Sequence, residues 1–396
     1  MREIRDTERR SRLARRHALA PGHRAAGPEA ATYAMTVLHA TEAPTVYLSL
    51  WARADGLTVA DVDRALYADR TLVKQLAMRR TLFVFPRDLL PAAWGSASAR
   101  VARAHRARLA KDVEAAGLAA DGEAWVAAAE AATLTRLADG SELSAAQLRE
   151  ELPELEGRLH MSPGKSYGGH VPIAPRLFTQ LGVEGSIVRG RNAGHWRTAR
   201  PQWTLTSTWL GEVPEPAKER EGYAELVGRW LRTFGPGTEA DLVWWLGATK
   251  GAVRAALADV AAVEVALEGG GAGWLLPDDP LAVDPEPDIE PWAALLPVLD
   301  PTVMGWKERS FFLGPHAPAL FDANGNAGTT VWWDGRVVGC WVQDPDGLVL
   351  LNLLEDVGSD GAAALEVEAA RLTAWLGGDR VSTVYPSAAM KQAVAR

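Results

Sequence analysis

Two helix patterns separated by one glycine make up residues 237–257, GTEADLVWWLGATKGAVRAAL. Thr238 and Thr249 precede the two patterns, and a threonine hydroxyl at that position caps the first turn of a helix. Gly247 lies between them, where the left-handed conformation that ends many helices favours glycine. The stretch therefore predicts two short helices joined by a tight turn, which is the helix-turn-helix arrangement.

The same succession of short helices and strands recurs along the chain. The first cycle covers residues 29–86, in which TLVKQLAMRR (71–80) is predicted to be a helix and TLFVFP (81–86) a strand. The second cycle covers residues 124–205 and the third residues 223–277, and each ends in a predicted hairpin. The repeat lies in architecture and not in residue identity. We therefore predict three tandem winged helix-turn-helix domains.

Strand patterns dominate the chain after Trp292. They are LLPVLD (295–300), RSFFL (309–313), TTVWWDGRVVGCWV (329–342), GLVLLNLL (347–354) and VSTVYP (381–386), with one helix pattern at 361–376. Asp334 and Gly335 form the turn signal of a tight hairpin. Long hairpins that meander favour a small barrel or a curled sheet, so we predict a β-barrel-like C-terminal domain. The chain as a whole is predicted to be α+β.

Proline-rich and charged stretches mark the boundaries between these units. The clearest are GEVPEPAKERE (211–221) and the acidic residues 280–291. The predicted organisation is a basic N-terminal arm or helix, a first winged helix followed by a basic helix, two further winged helices and a β domain. Their respective bounds are 1–28, 29–120, 121–212, 220–280 and 290–396.

Positive charge is concentrated at the N-terminal end of an acidic chain. The net charge is −8, but residues 1–111 contain 20 Lys and Arg against 10 Asp and Glu, whereas the remainder contains 22 against 40. A localised positive field is what attracts phosphates. Arginines on solvated helix faces would produce the same excess, so composition leaves both interpretations open.

Cysteine and histidine usage argues against disulfides and metal sites. Cys340 is the single cysteine of the chain, and no histidine pair has the spacing of metal ligands. A reducing cytoplasm is the expected compartment. No apolar run has the length of a membrane span, and no apolar stretch follows the arginine-rich N-terminus as in a signal peptide.

His39 and Thr41 are the polar side chains at the start of the apolar stretch VLHATEAPTVYLSLWAR (37–53). A lone histidine in such surroundings is commonly a core residue with satisfied hydrogen bonds. Thr41 or Glu42 is placed to cap the helix whose first turn holds Pro44. Spacing alone favours this structural interpretation over a catalytic one.

Basic side chains concentrate in a predicted hairpin and in a helix. The hairpin carries Arg189, Arg191, Arg197 and Arg200 together with Trp196 and Trp203. It fits a wing on nucleic acid, and it equally fits a sheet with outward arginines and inward tryptophans. The helix at 96–111, SASARVARAHRARLAK, has arginines that do not lie on one narrow stripe. A solvent-exposed helix explains this distribution of arginines about as well as contact with DNA does.

Two loops hold further candidate cations. Lys307 and Arg309 in LDPTVMGWKERS (299–310) are candidate phosphate ligands, although a solvated loop explains them equally well. Asp300 in the same segment is predicted to cap the turn at the Asp-Pro pair. Lys165 lies in SPGKSYGG (162–169), which lacks the strand-to-helix context and the spacing of a nucleotide-binding phosphate loop.

Several long segments, in the same order, carry a resemblance to a known family. They are LHAT leading into YLSLWAR (38–53), RALYADRTLVKQLAMRRTLFVFP (64–86), IVRGR with WRTARPQW (187–203), LLPVLDPTVMGWKERS (295–310) and LFDANGNAGTTVWWDGRVVGCW (320–341). Over residues 12–386 the chain resembles the winged-helix DNA-binding-domain proteins of the AlkZ/YcaQ-like DNA glycosylase superfamily. The resemblance implies three tandem winged helices and a C-terminal β-barrel-like domain that form a concave DNA-binding surface.

The resemblance also implies a catalytic site. Characterised members carry Gln-x-Gln or Gln-x-Asp where this chain has His39-Ala40-Thr41, in register with the following YLSLWAR. Those residues position or activate the water that attacks the glycosidic carbon of a cationic alkylated base. By this correspondence His39 would activate the water and Thr41 would position it. Glu42 would add negative charge if it faces inward.

Two functions follow from the resemblance. The first is a monofunctional DNA glycosylase without cofactor or metal, acting as a monomer on double-stranded DNA in the cytoplasmic nucleoid. Its contacts with DNA would come from Lys165, Arg189, Arg191, Arg197, Arg200, Lys307 and Arg309. The alternative is a non-catalytic winged-helix DNA-binding protein, a lesion sensor or regulator, because both polar positions of the motif are substituted. No lysine precedes Lys74 near the motif, which disfavours a Schiff-base lyase.

Overall fold

The N-terminal segment is docked onto a distant part of the chain. The computed structural model describes residues 2–161, 169–282 and 289–395. Strand β1 (Glu3–Ile4) precedes helix α1 (Asp6–Arg16) and pairs in parallel with residues 266–267. Arg12 of α1 is buried and forms an ion pair of 2.7 Å with Asp279. The predicted N-terminal helix is therefore present, but part of its positive charge is neutralised inside the protein.

Residues 28–86 form a small unit of three helices around a three-stranded sheet. Its elements are α2 (Pro28–Ala34), β2 (Leu38–His39), α3 (Ala43–Trp51), α4 (Val59–Asp63), β3 (Leu72–Leu76) and β4 (Leu82–Pro86). The strand order is β2-β4-β3, with both neighbours antiparallel to β4. Thr58 and Asp61 form a capping box that starts α4.

The prediction of a helix at residues 71–80 is wrong. Half of this stretch is strand β3, which is followed by a one-turn 3-10 helix, Met78–Arg80, that reverses the chain into β4. Arg79 and Arg80 have φ values of 53° and 58°, a region usually occupied by glycine, asparagine or aspartate. Because none of these residues stands in the turn, the sequence contains no local signal for the hairpin.

Residues 90–210 hold the basic helix and the second helical cycle. The elements are α5 (Leu90–Ala93), α6 (Ala99–Ala115), α7 (Gly122–Leu137), α8 (Ala145–Glu151), β5 (Arg158–Met161), β6 (Gly169–Pro172), α9 (Ala174–Glu184), β7 (Ile187–Asn192), β8 (Pro201–Leu205) and α10 (Thr206–Leu210). The predicted hairpin is β7–β8. A separate hydrophobic core, which includes Leu109, Val126, Phe178 and Trp203, packs these helices against that hairpin.

The third cycle has the helix-turn-helix that the sequence predicts. Its elements are α11 (Glu219–Phe234), α12 (Glu239–Leu246), α13 (Lys250–Asp259), β9 (Val263–Leu267) and β10 (Ala272–Leu275). Thr238 accepts a hydrogen bond from the backbone N–H of Asp241, and Thr249 accepts one from that of Ala252. Gly247 ends α12 with φ of 61°. The capping pattern of the sequence thus sets both helix starts and the turn between them.

The C-terminal region is an open sheet covered by helices. Its elements are β11 (Ala293–Leu296), α14 (Pro301–Met304), α15 (Ser310–Leu313), α16 (Ala317–Leu320), β12 (Thr330–Trp333), β13 (Arg336–Gln343), β14 (Val349–Leu353), α17 (Gly358–Leu376) and α18 (Ala388–Val394). The strands are antiparallel in the order β11-β12-β13-β14, with β11 and β14 at the edges. The predicted barrel-like closure is therefore wrong for the described strands, and residues 309–313 and 381–386 are not strands.

A buried ion pair joins the first unit to the C-terminal region. Arg53, just after α3, donates two hydrogen bonds to the carboxylate of Asp300, at 2.7 and 2.9 Å, and both side chains are fully buried. Ser49 donates to the same carboxylate, and Asp300 also accepts from the backbone N–H of Thr302. Asp300 is thus the predicted cap, and it additionally neutralises a buried arginine. Within the described ranges no helix is both long and apolar enough to cross a bilayer.

Candidate functional site

His39 lies in the short edge strand β2, in a dry environment. It is opposite Phe83 of β4, their ring centroids are 4.7 Å apart, and 4 % of the residue is exposed. Its Nδ1 is buried without a hydrogen-bond partner. Burial, and secondly the positive charge of Arg79, lower the pKa of His39 to about 3. The imidazole is therefore neutral at physiological pH, and it can accept a hydrogen bond although it is a weak base.

Thr41 and Glu42 occupy different surroundings from His39. Thr41 is exposed in a bend after β2. Glu42 is the N-cap residue of α3, but its side chain makes no capping bond. Its carboxylate instead accepts hydrogen bonds from the Thr383 hydroxyl at 2.9 Å and from the backbone N–H of Val384 at 2.7 Å. Glu42 and His39 therefore contact different residues.

Glu42 lines a cavity of about 610 Å³ between α3, the β13 strand and the C-terminal segment. Most of its wall is apolar and includes Leu48, Val298 and Trp341. Partial burial raises the pKa of Glu42, and the two hydrogen bonds it accepts oppose that rise. The cavity thus combines apolar walls with the carboxylate of Glu42 and with two cationic side chains, Arg380 and Lys391.

Some arginines of the β7–β8 hairpin form ion pairs and others do not. Arg197 lies 3.3 Å from Asp379, and Arg191 lies 3.6 Å from Glu142. Arg189 stacks on Trp203, with 4.7 Å from its guanidinium carbon to the ring centroid, and burial lowers its pKa to about 10. Arg200 is exposed. Among the described residues, Arg189 and Arg200 have no ion-pair partner, so they are the freer cations of this hairpin.

The loop of this hairpin is fastened to the C-terminal region. Trp196 is buried, and its indole N–H donates to Asp379 at 2.9 Å. Its ring packs on Tyr47 and Trp375 at centroid distances of 5.3 and 5.5 Å. Trp196 therefore serves interior packing, which agrees with the alternative of inward tryptophans.

Lys307 and Arg309 lie at the end of the loop after α14. Lys307 is exposed, and its backbone N–H donates to Asp241 at 2.8 Å. Arg309 is half-buried over the ring of Phe321 at 4.6 Å, and burial lowers its pKa to about 10. The predicted candidate Lys165 lies outside the described residues.

Comparisons with known proteins identify the family of the chain and one protein of similar fold. The family model for AlkZ-like DNA glycosylases matches residues 32–375. The chain belongs to the AlkZ-like DNA glycosylase family. Its structure is similar to that of the Streptomyces sahachiroi DNA glycosylase AlkZ, with a TM-score of 0.71 and 20 % identity over 96 % of this chain and 98 % of that one. At this identity the similarity concerns the fold. No curated protein has significant similarity to the chain.

One cation of this AlkZ-like chain was missed by the sequence analysis. Arg79 stacks on Trp244 of α12, with 3.9 Å between its guanidinium carbon and the ring centroid, and Arg309 approaches the same ring at 5.2 Å. Burial, and then the charge of Arg309, lower the pKa of Arg79 to about 10. Interpreting residues 71–86 as strand, turn and strand would have placed Arg79 at a hairpin tip. The prediction of a helix over residues 71–80 gave Arg79 no such position.

Metal ligation finds no support in the AlkZ-like fold as far as it is described. No cluster of three or more His, Cys, Asp or Glu suited to holding a metal ion occurs within residues 2–161, 169–282 and 289–395. His160 and His170 stack across β5 and β6 at 4.7 Å between ring centroids. Two imidazoles alone do not provide the ligand set of a protein zinc site.

Proposed function

We propose that this protein is a DNA repair glycosylase that binds duplex DNA and removes alkylated bases by attack of water at the glycosidic carbon. The observation that carries the proposal is His39, a neutral imidazole with an unpartnered buried nitrogen next to a cation. It stands at the position to which the family resemblance assigns the catalytic pair. A buried nitrogen without a partner in the protein is a place where a water molecule can donate a hydrogen bond.

The chemistry that we propose makes modest demands on His39. An alkylated base with a positive charge is already a good leaving group, so no strong acid is needed. The enzyme must orient a water molecule and stabilise the developing oxocarbenium charge. With a pKa of about 3, His39 is suited to accepting a hydrogen bond from that water, whose proton is finally released to solvent. Thr41 would provide a second hydrogen bond.

We assign Glu42 the role of counter-charge. Its carboxylate borders the cavity at the start of α3, directly after Thr41 in the chain, and is the acidic group among the described residues that line it beside Arg380 and Lys391. A carboxylate in weakly solvated surroundings attracts a cationic base more strongly than one in bulk water. The DNA contacts would come from Arg189, Arg191, Arg197, Arg200, Lys307 and Arg309, with Arg189 and Arg200 the freest. Lys165 remains an expectation from the sequence alone.

We interpret the three helical cycles as winged helices. Residues 28–86 run helix, strand, helix, helix and hairpin, and residues 219–275 run three helices and a hairpin. Residues 122–205 follow the same order, with the hairpin β5–β6 inserted. Such units bind duplex DNA. A repair protein of this kind would act as a monomer at the nucleoid in the cytoplasm.

The second candidate function is a non-catalytic lesion sensor. The observation that favours it is the burial of His39, whose small exposed fraction leaves little room for an attacking water. A sensor would use the same duplex-binding surface without cleaving the glycosidic bond.

The deciding experiment uses duplex DNA with a single N7-methylguanine, followed by alkaline cleavage of abasic sites. We expect strand scission by the native protein, a loss on the order of 100-fold in His39→Ala, and partial retention in His39→Gln, whose amide oxygen can accept the same hydrogen bond. His23→Ala, at an exposed histidine, is the matched control and should cleave normally. Tight, salt-sensitive binding without scission would support the sensor instead.

A further inference from the structure

A groove of about 240 Å³ lies between the Met78–Arg80 turn, helix α6 and the end of α12. Its polar lining consists of four arginines, Arg79, Arg80, Arg100 and Arg108, and of His105, whose pKa is lowered by burial. No acidic side chain is among the described residues that line it. A concave surface with charge of one sign focuses the electric field and concentrates ions of the opposite sign. We propose that this groove binds consecutive backbone phosphates of duplex DNA.

Ion pairing distinguishes Arg100 from the other arginines of α6. Arg106 pairs with Glu123 at 2.9 Å and with Glu130 at 2.8 Å, and Arg103 lies 3.8 Å from Glu219. These arginines are neutralised within the protein. Arg108, which also lines the groove, pairs with Asp112 at 2.8 Å. Arg100, which lines the groove as well, has no ion-pair partner among the described residues. Of the described arginines of α6, Arg100 is therefore the one that is available to a phosphate.

The turn presents two further cations without carboxylate partners. Arg79 and Arg80 have no ion pair within the described part of the chain. The Nε of Arg79 is buried and lacks a hydrogen-bond partner. Arg80 is exposed. An arginine that is desolvated without a carboxylate gains more from an arriving phosphate than one that is already paired.

Arg79 is held rigidly in place. One face of its guanidinium stacks on Trp244, and a Cβ added to Gly247 would lie 3.1 Å from Arg79 Cγ. Both arginines of the turn adopt left-handed φ values, which cost free energy in residues other than glycine. Strained backbone that presents charged groups is typical of a binding function. The packing and the strain thus orient the cations before the ligand arrives.

The groove and His39 share one neighbour, Arg79. Arg79 lines the groove, and its charge contributes, after burial, to the low pKa of His39. Phosphate contacts fix the position of a duplex on a protein, so phosphates bound in the groove would position the duplex near β2. This inference rests on the proposed function for its choice of duplex DNA, but it concerns binding and can be tested without any base excision.

The test measures the dissociation constant of an undamaged fluorescent duplex at several salt concentrations. The double variant Arg80→Gln with Arg100→Gln should bind on the order of tenfold more weakly. Its plot of log K against log salt should lose about two units of slope, because about two phosphate contacts are removed. The matched control is Arg103→Gln with Arg106→Gln, on the same helix but paired with carboxylates, and its slope should be unchanged.

Two outcomes would overturn the inference. One is a slope that is the same in the groove variant and the native protein while both remain folded by melting temperature. The other is release of the duplex by low-millimolar inorganic phosphate beyond the effect of chloride at equal ionic strength, since that would indicate a small-anion site. A groove-dependent slope without base excision would support the groove and contradict the glycosylase. Base excision by the native protein, together with a native salt dependence of binding in the groove variant, would support the glycosylase and contradict the groove.

Discussion

At the residue scale, the informative feature is a histidine whose environment decides its chemistry. His39 would be an ordinary imidazole in water, with a pKa near 6.5. Burial against Phe83 removes the water, and Arg79 adds a positive charge, so protonation is disfavoured twice. A buried nitrogen without a hydrogen-bond partner costs free energy in the unbound protein. A bound water or ligand that donates a hydrogen bond to it would offset that cost.

The low pKa of His39 predicts a specific acid sensitivity. In the unfolded chain the imidazole binds a proton below about pH 6.5, whereas in the folded protein it stays neutral down to about pH 3. Acid therefore favours the unfolded state, and stability is lost as the pH falls below 6.5. The contribution of His39 to this loss is about 2 kcal/mol at pH 5.

Chemical denaturation at pH 7.5 and pH 5 measures this contribution. His39→Gln should lose about 2 kcal/mol less than the native protein between the two pH values. His23→Gln, at an exposed histidine, should show the native pH dependence. Equal acid sensitivity in His39→Gln and the native protein would show that the imidazole is solvated.

At the element scale, the turn between β3 and β4 is the feature that local sequence preference does not explain. Two consecutive arginines occupy the left-handed region where glycine or asparagine would be relaxed. The cross-strand pairing of Val73 with Phe85 and of Gln75 with Phe83 outweighs this local cost. We therefore expect the two arginines to lower the stability of the turn while they present positive charge at the surface.

Arg80→Gly tests this trade at the exposed position of the turn. The variant should be more stable by about 0.5–1 kcal/mol, since relief of left-handed strain exceeds the added entropy of the unfolded chain. It should at the same time bind the undamaged duplex more weakly. Denaturant titration and fluorescence anisotropy on the same sample measure the two effects.

Arg103→Gly provides the control, because it places glycine in the interior of α6, where it should destabilise by about 1 kcal/mol. If Arg80→Gly destabilised the protein to the same extent, the turn would not be strained.

At the scale of the whole molecule, the buried pair of Arg53 and Asp300 connects segments 247 residues apart. The pair is fully desolvated, and four hydrogen bonds converge on the Asp300 carboxylate, from the guanidinium twice, the Ser49 hydroxyl and the Thr302 backbone. Removal of one partner leaves an unpaired charge in the core. The pair therefore holds the helix that follows the proposed site against the C-terminal region.

Asp300→Ala should destabilise the protein by about 3–5 kcal/mol in denaturant titrations. Replacement of both partners, Arg53→Met with Asp300→Leu, should recover much of that loss because no buried charge is left. Asp346→Ala at an exposed aspartate is the control and should be nearly neutral. A loss in Asp300→Ala that matches the control would mean that the pair contributes no net stability.

Local patterns in the sequence predicted the elements whose causes are themselves local. Thr238, Thr249 and Gly247 specify both helices of the third cycle by capping, and the Asp334-Gly335 turn specifies the β12–β13 hairpin. The long ordered segments were enough to indicate the family. These features need no distant contact, because a cap or a tight turn acts within a few residues.

The tertiary structure decided what depends on residues distant in the chain. It made residues 72–76 a strand by pairing them with β4, and it left the C-terminal sheet open. It used Arg197 and Trp196 for contacts with Asp379. Around one groove it left Arg79, Arg80 and Arg100 without carboxylate partners among the described residues. The sequence by itself determined the helix-turn-helix and indicated His39 as a candidate residue. Only packing decided which cations remain available, because burial and ion pairing depend on side chains brought together by the fold.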